Sequence, residues 1–121
     1  MAKTRAVPPE DISAEDFFTR WVPERVAVDE ERRAKLRRTT AAIEFTLTSP
    51  SRQVYTLHIE GGEVRGERSA HPEPDLTVEL DEETWRALNR GGISAPEALL
   101  RRRVRIHGDL VLALKLHLIL G

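Results

Sequence analysis

The sequence predicts an α+β domain in which a five-stranded, mainly antiparallel sheet is covered on one face by about five helices. Three observations lead there. Apolar residues alternate with period two between residues 41 and 80, helical spacings flank that block on both sides, and a Gly-Gly pair at 61–62 joins two of the alternating runs. A chain of 121 residues has room for one core. The expected division is a flexible leader over residues 1–11, with its consecutive Pro8 and Pro9, and a single domain over 12–121.

Ser13 can cap the first helix, "SAEDFFTRWV", in which Phe17 pairs with Trp21 and Phe18 with Val22 at i,i+4. Pro23 is expected to end or kink it. "ERVAVDEERRAKLRR" is nearly all charge, with Val26, Val28 and Leu36 too sparse for a strong face, and reads as a solvated helix or loop. The period then switches to two. Ile43, Phe45 and Leu47 share one side of "AAIEFTLT"; Tyr55, Leu57 and Ile59 share one side of "QVYTLHIE"; Leu76, Val78 and Leu80 share one side of "DLTVEL". The Gly61-Gly62 turn gives "EVRGERS" as the returning strand of a hairpin. Thr46, Thr56, His58, Thr77, Glu79 and Arg105 fall on the other side, so one face of the sheet is expected to meet water.

Helical spacing returns with "DEETWRALNR", capped by Asp81, carrying Trp85 and Leu88 inward and stopped by Gly91-Gly92. Ser94 with Glu97 reads as a capping box ahead of "APEALLRR". "RVRIHG" alternates once more, with Val104 and Ile106 inward, and Asp109 caps a last helix. That last stretch, "GDLVLALKLHLILG", has only Lys115 and His117 as polar residues between Leu110 and Leu120, and so lacks a continuous polar face. Leu112, Leu116 and Leu120 group on one side and Val111, Leu114 and Leu118 on nearly the opposite one, so one group needs a second partner beyond the sheet. Other helices, another chain or an apolar ligand would each serve. Leu116 and Leu120 are where a tunnel opening or a second chain is expected.

Composition excludes several functions. Nineteen basic against twenty acidic residues give no global field to hold nucleic acid. Without cysteine there is no disulfide and no thiol nucleophile. His58, His71, His107 and His117 share no metal-ligand spacing, the serines lack a nucleophile-elbow context, and the glycine pairs lack a phosphate-loop pattern. Neither an enzyme nor a cofactor or metal site is expected. "MAKTRAVPPE" lacks the apolar core of a secretory signal, and the apolar run near the other end is about half of what a bilayer span needs, so the expected location is cytoplasmic.

The run "DLTVELDEETWRALNRGGISAPEALLRRRVRIHGDLVLALKL" resembles the C-terminal half of the sterol carrier protein 2 domain. It offers a strand beginning with Asp, a helix with an aromatic then a leucine, the glycine turn at Gly91, a short helix with central Ala98, a strand ending at Gly108, and the helix "LALKL" from Leu112 to Leu116. "FFTRWVPE", "IEFTLT" and "YTLHIEGGEV" are similar to that domain's opening helix and first hairpin, so the likeness covers about residues 12 to 120. One position departs from it: Arg102 stands where the domain usually has a small residue, often glycine.

The resemblance implies helices packed on a five-stranded sheet with an apolar tunnel between them that takes fatty acids, fatty acyl-CoA, sterols or phospholipids, and it implies no chemistry. The positions implied for the tunnel wall are Phe45, Trp85, Leu88, Leu99, Leu100, Ile106, Leu110, Leu114 and Leu118. Arg101, Arg102, Arg103 and Arg105 could hold an anionic headgroup beside the mouth or touch an anionic membrane surface, or could simply be a solvated helix end. The alternative function is an accessory module that docks a second copy or a partner enzyme of lipid or quinone metabolism through the last helix.

Overall fold

Strand β1 is the axis of the sheet. In the computed structural model, which describes residues 7–120, β1 (Ala41–Leu47) pairs antiparallel with β2 (Gln53–Glu60) on one side and parallel with β4 (Leu76–Leu80) on the other. The hairpin partner β3 (Glu63–Glu67) and the last strand β5 (Val104–Gly108) form the two edges, giving the order β3-β2-β1-β4-β5. Residues 1–6 of the expected leader, and Gly121, lie outside the described residues. Register brings the alternating apolar residues into rows across the inner face. Tyr55, Phe45, Val78 and Ile106 make one row, and Gly66, Leu57, Ile43, Leu76 and Gly108 make the next.

Helix α1 covers the β1–β3 end of this face. It is built of Ala14–Asp16, a widened π-helical turn at Phe17–Trp21, and Val22–Ala27, with the Ser13 hydroxyl accepting from the Asp16 N–H at its start. Pro23 does not end it. The turn before the proline is widened so that the Val22 N–H reaches back five residues to the Phe17 carbonyl, which absorbs the backbone N–H that proline lacks. Both phenylalanines are thereby turned inward. Phe18 stacks on Tyr55 at 5.0 Å and tilts against Phe45 at 4.9 Å, while Phe17 stacks on Trp21 at 5.5 Å. The charged stretch that follows is helical: α2 (Glu30–Leu36) buries Leu36, the end of α1 buries Val22 and Val26, and Val28 stays exposed.

Two close approaches fix this layer. A Cβ on Gly66 would lie 1.9 Å from the Phe18 carbonyl oxygen, so only a bare Cα in β3 lets the π turn settle so near the sheet. A Cβ on Gly108, whose φ is +118°, would lie 2.4 Å from the Asp75 carbonyl oxygen. That carbonyl accepts the Asp109 N–H at 2.8 Å, and the Asp75 carboxylate accepts the Ala42 N–H at 2.8 Å.

The outer face of the sheet departs from expectation. Thr46 and Thr56 are 1% and 0% exposed instead of facing water. For Thr56 the reason is the connection from β3 to β4, which returns across β2 and β1: Thr56 donates to the Ser69 carbonyl at 2.7 Å, and the His71 N–H donates to the Glu44 carboxylate at 3.0 Å. A short-range pattern of alternation has no access to where a later loop will run.

Four short helices take the rest of the inner face: α3 (Glu82–Arg90), α4 (Ala95–Leu100), α5 (Leu110–Leu114) and α6 (Leu116–Leu120). What read as one last helix is two. Lys115 closes α5 with a tight turn, its ammonium donates to the Thr39 hydroxyl at 3.2 Å, and the His117 ring donates to the Leu114 carbonyl at 2.7 Å, satisfying an acceptor that the break frees. Six helices therefore occur among the described residues. Replacing Gly66 by alanine is expected to destabilise the fold by about 3 kcal/mol, because backbone and not a pliable side chain blocks the new methyl; urea denaturation of G66A measures it.

Candidate functional site

The break at Lys115 decides which leucines are exposed. Helix α6 turns in to pack against the end of α1 and against α2, burying Ile119 and half-burying Leu116, Leu118 and Leu120. Leu116 and Leu120, expected at an opening, are therefore packed against the core. Helix α5 instead lies over β4 with Leu112 beneath it, and its Leu110, Val111 and Leu114 project into solvent. An unbroken helix could not present those two sets of residues so differently.

On the neighbouring side, α4 packs on the edge strand β5 through buried Ala98, leaving Leu99 and Leu100 outside. Leu100 is 85% exposed, Leu114 76% and Leu110 68%. Leu99 and Leu100 flank β5, whose own inward Val104 and Ile106 are only half-buried, and Leu110, Val111 and Leu114 are exposed on the helix over β4. Along the row Tyr55, Phe45, Val78, Ile106 the cover thins at the last strand. The inner face is thus closed over β4, where Leu76, Val78 and Leu80 are buried, and only partly covered over β5.

The residues that the sequence pointed to divide into three groups. Phe45 and Trp85 are buried in the aromatic cluster, with Trp85 edge-on to Phe17 at 5.3 Å. Leu88, Ile106 and Leu118 are half-buried against the core, and Leu99, Leu100, Leu110 and Leu114 are exposed. Val104 is half-buried and Val111 exposed, although sequence reasoning did not single them out as ligand contacts; the alternation of Val104 with Ile106 was the available signal. The Trp85 indole Nε1 is buried without a hydrogen-bond partner among the described residues.

The arginine run is not uniform. Arg101 pairs with Glu97 at 3.0 Å, and Arg103 donates Nε to the Thr84 hydroxyl at 3.1 Å, which ties the start of β5 to α3. Arg102 and Arg105 have no ion pair among the described residues and are exposed. Arg102 holds φ at +58°, the left-handed conformation that ends α4: its N–H bonds the Leu99 carbonyl at 3.1 Å and the Arg103 N–H bonds the Ala98 carbonyl at 2.9 Å. This double closure is the one that favours glycine, which explains why a small residue is usual there. Asp81 caps α3 by accepting from the Thr84 N–H at 2.7 Å, and hydrogen bonding from Thr84 holds its carboxyl below the usual range, with Arg103 adding to the effect.

No group of three or more histidine and acidic side chains that could hold a metal occurs among the described residues. A separate cleft of about 330 Å³ lies between Val7–Glu10 and Arg86, Asn89 and Arg90 of α3, where the Arg86 guanidinium donates to the Glu10 and Ile12 carbonyls. Its lining mixes the apolar Val7, Pro8 and Pro9 with the charged and polar Glu10, Arg86, Asn89 and Arg90.

With this geometry in hand, residues 22–121 match the model of the SCP-2 sterol transfer family. The chain belongs to that family. Solved structures with the same fold include palmitated SCP2L2 from Aedes aegypti (TM-score 0.70, 21% identity, covering 91% of this chain and 96% of that one). Sterol carrier protein domain 2 of Helicoverpa armigera is similar (TM-score 0.70, 19% identity, covering 94% and 90%). So is a part of the inverting sec-alkylsulfatase Pisa1 from Pseudomonas sp. (TM-score 0.72, 19% identity), where the chain covers 91% of its own length and only 17% of the sulfatase. No curated protein matches the chain.

Two expectations follow from these contacts in this member of the SCP-2 sterol transfer family. Replacing Arg102 by glycine relieves about 1–2 kcal/mol of left-handed strain and adds about 0.4–1 kcal/mol of unfolded-state entropy, so R102G should be more stable by about 0.5–1 kcal/mol in urea melts. Removing the Asp81 cap should cost about 1 kcal/mol at neutral pH. Because the folded value of Asp81 lies below its ordinary 3.8, the cap's charge contributes fully above that pH and is lost as pH falls through the folded value. The deficit of D81A against wild type should accordingly shrink below pH 3.8, as read from melts across that range.

Proposed function

We propose that the protein binds and carries a lipid with a long apolar tail, without chemical transformation. One observation carries this: large apolar side chains of α4 and α5 stand exposed around an edge strand whose inner residues are only half covered. In this reading the tail lies along β5 over Ile106, between Leu99 of α4 and Leu110 and Leu114 of α5, with Leu88 and Leu118 at its flanks and Phe45 and Trp85 as the floor behind them. α5 and the ligand together complete the cover, so that a tunnel forms around the tail. Arg101, Arg102, Arg103 and Arg105 favour an anionic headgroup at the rim.

The energetics are adequate. Burying an acyl chain contributes about 0.8 kcal/mol per methylene, on the order of 10 kcal/mol gross, which survives part of the association cost and leaves micromolar binding. Membership of a sterol transfer family agrees with an apolar cargo, and the palmitated state of the Aedes aegypti relative directs the choice of probe. Titration with a fluorescent long-chain fatty acid should saturate at micromolar concentration, and Leu114→Glu should weaken it about tenfold, or ~1.4 kcal/mol. Wild-type protein that shows no saturable binding sinks the reading.

A further inference from the structure

We propose that the Trp85 indole N–H selects the cargo: it is an interior donor for a carbonyl oxygen, of a ketone or an ester, that the lipid carries within its apolar body. The inference deepens the carrier reading and rests on it, since it names the polar group that the bound tail brings to the floor formed by Phe45 and Trp85.

The first turn of α3 sets this indole in the interior. The Trp85 backbone N–H closes that turn on the Asp81 carbonyl at 3.1 Å, and the side chain is 4% exposed, edge-on to Phe17 at 5.3 Å and stacked on Phe18 at 6.3 Å. Its Nε1 has no hydrogen-bond partner among the described residues. Buried donors are nearly always paired, because burial removes water and leaves the donor's own demand unmet. A phenylalanine would fill an apolar place among rings without creating that demand, yet the chain puts an indole there. The Thr46 hydroxyl, buried and unpaired in the same way, belongs to the opposite face of the sheet, so on the inner face the indole stands alone among the described residues.

The surroundings decide what this donor can take. A water molecule in an interior needs several polar partners, and the phenyl rings beside Trp85 supply none; an oxygen borne on an apolar body is held there by the burial of that body. Charge narrows the choice. Arg86 lies over the Trp85 ring at 4.9 Å, but its guanidinium is engaged by the Glu82 carboxylate at 3.6 Å and by the Glu10 and Ile12 carbonyls, and Arg103 is engaged by the Thr84 hydroxyl. An ionised carboxylate beside the indole would be buried without a cation of its own, which is costly. A hydroxyl fits less well than a carbonyl, because no buried side-chain acceptor on the inner face lacks a partner among the described residues, and the hydroxyl's own hydrogen would become the next unmet donor. A carbonyl oxygen accepts and brings no hydrogen.

The test displaces the fluorescent long-chain fatty acid with stearic acids that carry a keto group at successive positions along the chain, each set against plain stearic acid and against the hydroxy acid of the same position. At one or more positions the keto acid should bind about fivefold tighter than stearic acid, the worth of one hydrogen bond, and the hydroxy acid should gain less. In W85F, which keeps an aromatic ring and loses the N–H, the keto acids and stearic acid should bind alike. The chain has two tryptophans, so W21F leaves Trp85 as the one indole N–H signal in an NMR spectrum. That signal should move further downfield with the preferred keto acid than with stearic acid. The inference is overturned if no keto position gains, if the hydroxy acids gain equally, if W85F retains the preference, or if the indole signal responds alike to the keto acid and to stearic acid. Saturable binding of stearic acid without any keto preference overturns this inference and leaves the carrier reading standing; a fluorescent fatty acid that does not bind saturably overturns both.

Discussion

How near α1 can come to the sheet governs the rest of this molecule. The π turn aims Phe17 and Phe18 inward together, and the bare Cα of Gly66 lets the Phe18 carbonyl settle over β3. That seating builds the aromatic cluster with Phe45, Tyr55 and Trp85, which fills the inner face over β1 and β2 with large rings in edge and stacked contacts. The longest helical element is thereby committed to one end of the sheet. β4 and β5 are left to helices of nine residues or fewer, α5 lying over β4 and α4 over β5, and the inward residues of the edge strand stay half-covered. The thin cover over β5 is thus a consequence of where the well-packed end lies.

A second constraint joins the two faces of the sheet. Asp75 closes the crossover loop onto β1 through Ala42 and, through its carbonyl, receives the Asp109 N–H that starts α5. Gly108 makes that contact possible by leaving room beside the same carbonyl. The loop that covers Thr56 on the outer face and the helix that lies over β4 on the inner face therefore share one anchor. Displacement of either is expected to be felt by the other, since packed elements shift between discrete arrangements more readily than they deform smoothly.

Arg102 shows a side chain held against its backbone preference. The turn geometry that ends α4 is best served by glycine, and the chain holds an arginine there instead, two residues after the exposed Leu100.

Local pattern in the sequence determined a good deal. The alternation at Ile43–Leu47, Tyr55–Ile59 and Leu76–Leu80, the caps at Ser13, Asp81, Ser94 and Asp109, and the Gly61-Gly62 turn are each set by neighbours within a few residues, and each is present as read. What only the tertiary structure decided depends on residues far apart in the chain. The crossover loop's path buries Thr56 through Ser69, Gly66 is read by Phe18, and the docking of α6 on α1 and α2 breaks the last helix at Lys115 and so exposes Leu110 and Leu114 while burying Ile119. Periodicity reports which faces of a segment are apolar; which of them finds a neighbour is set by contacts that no short window of sequence contains.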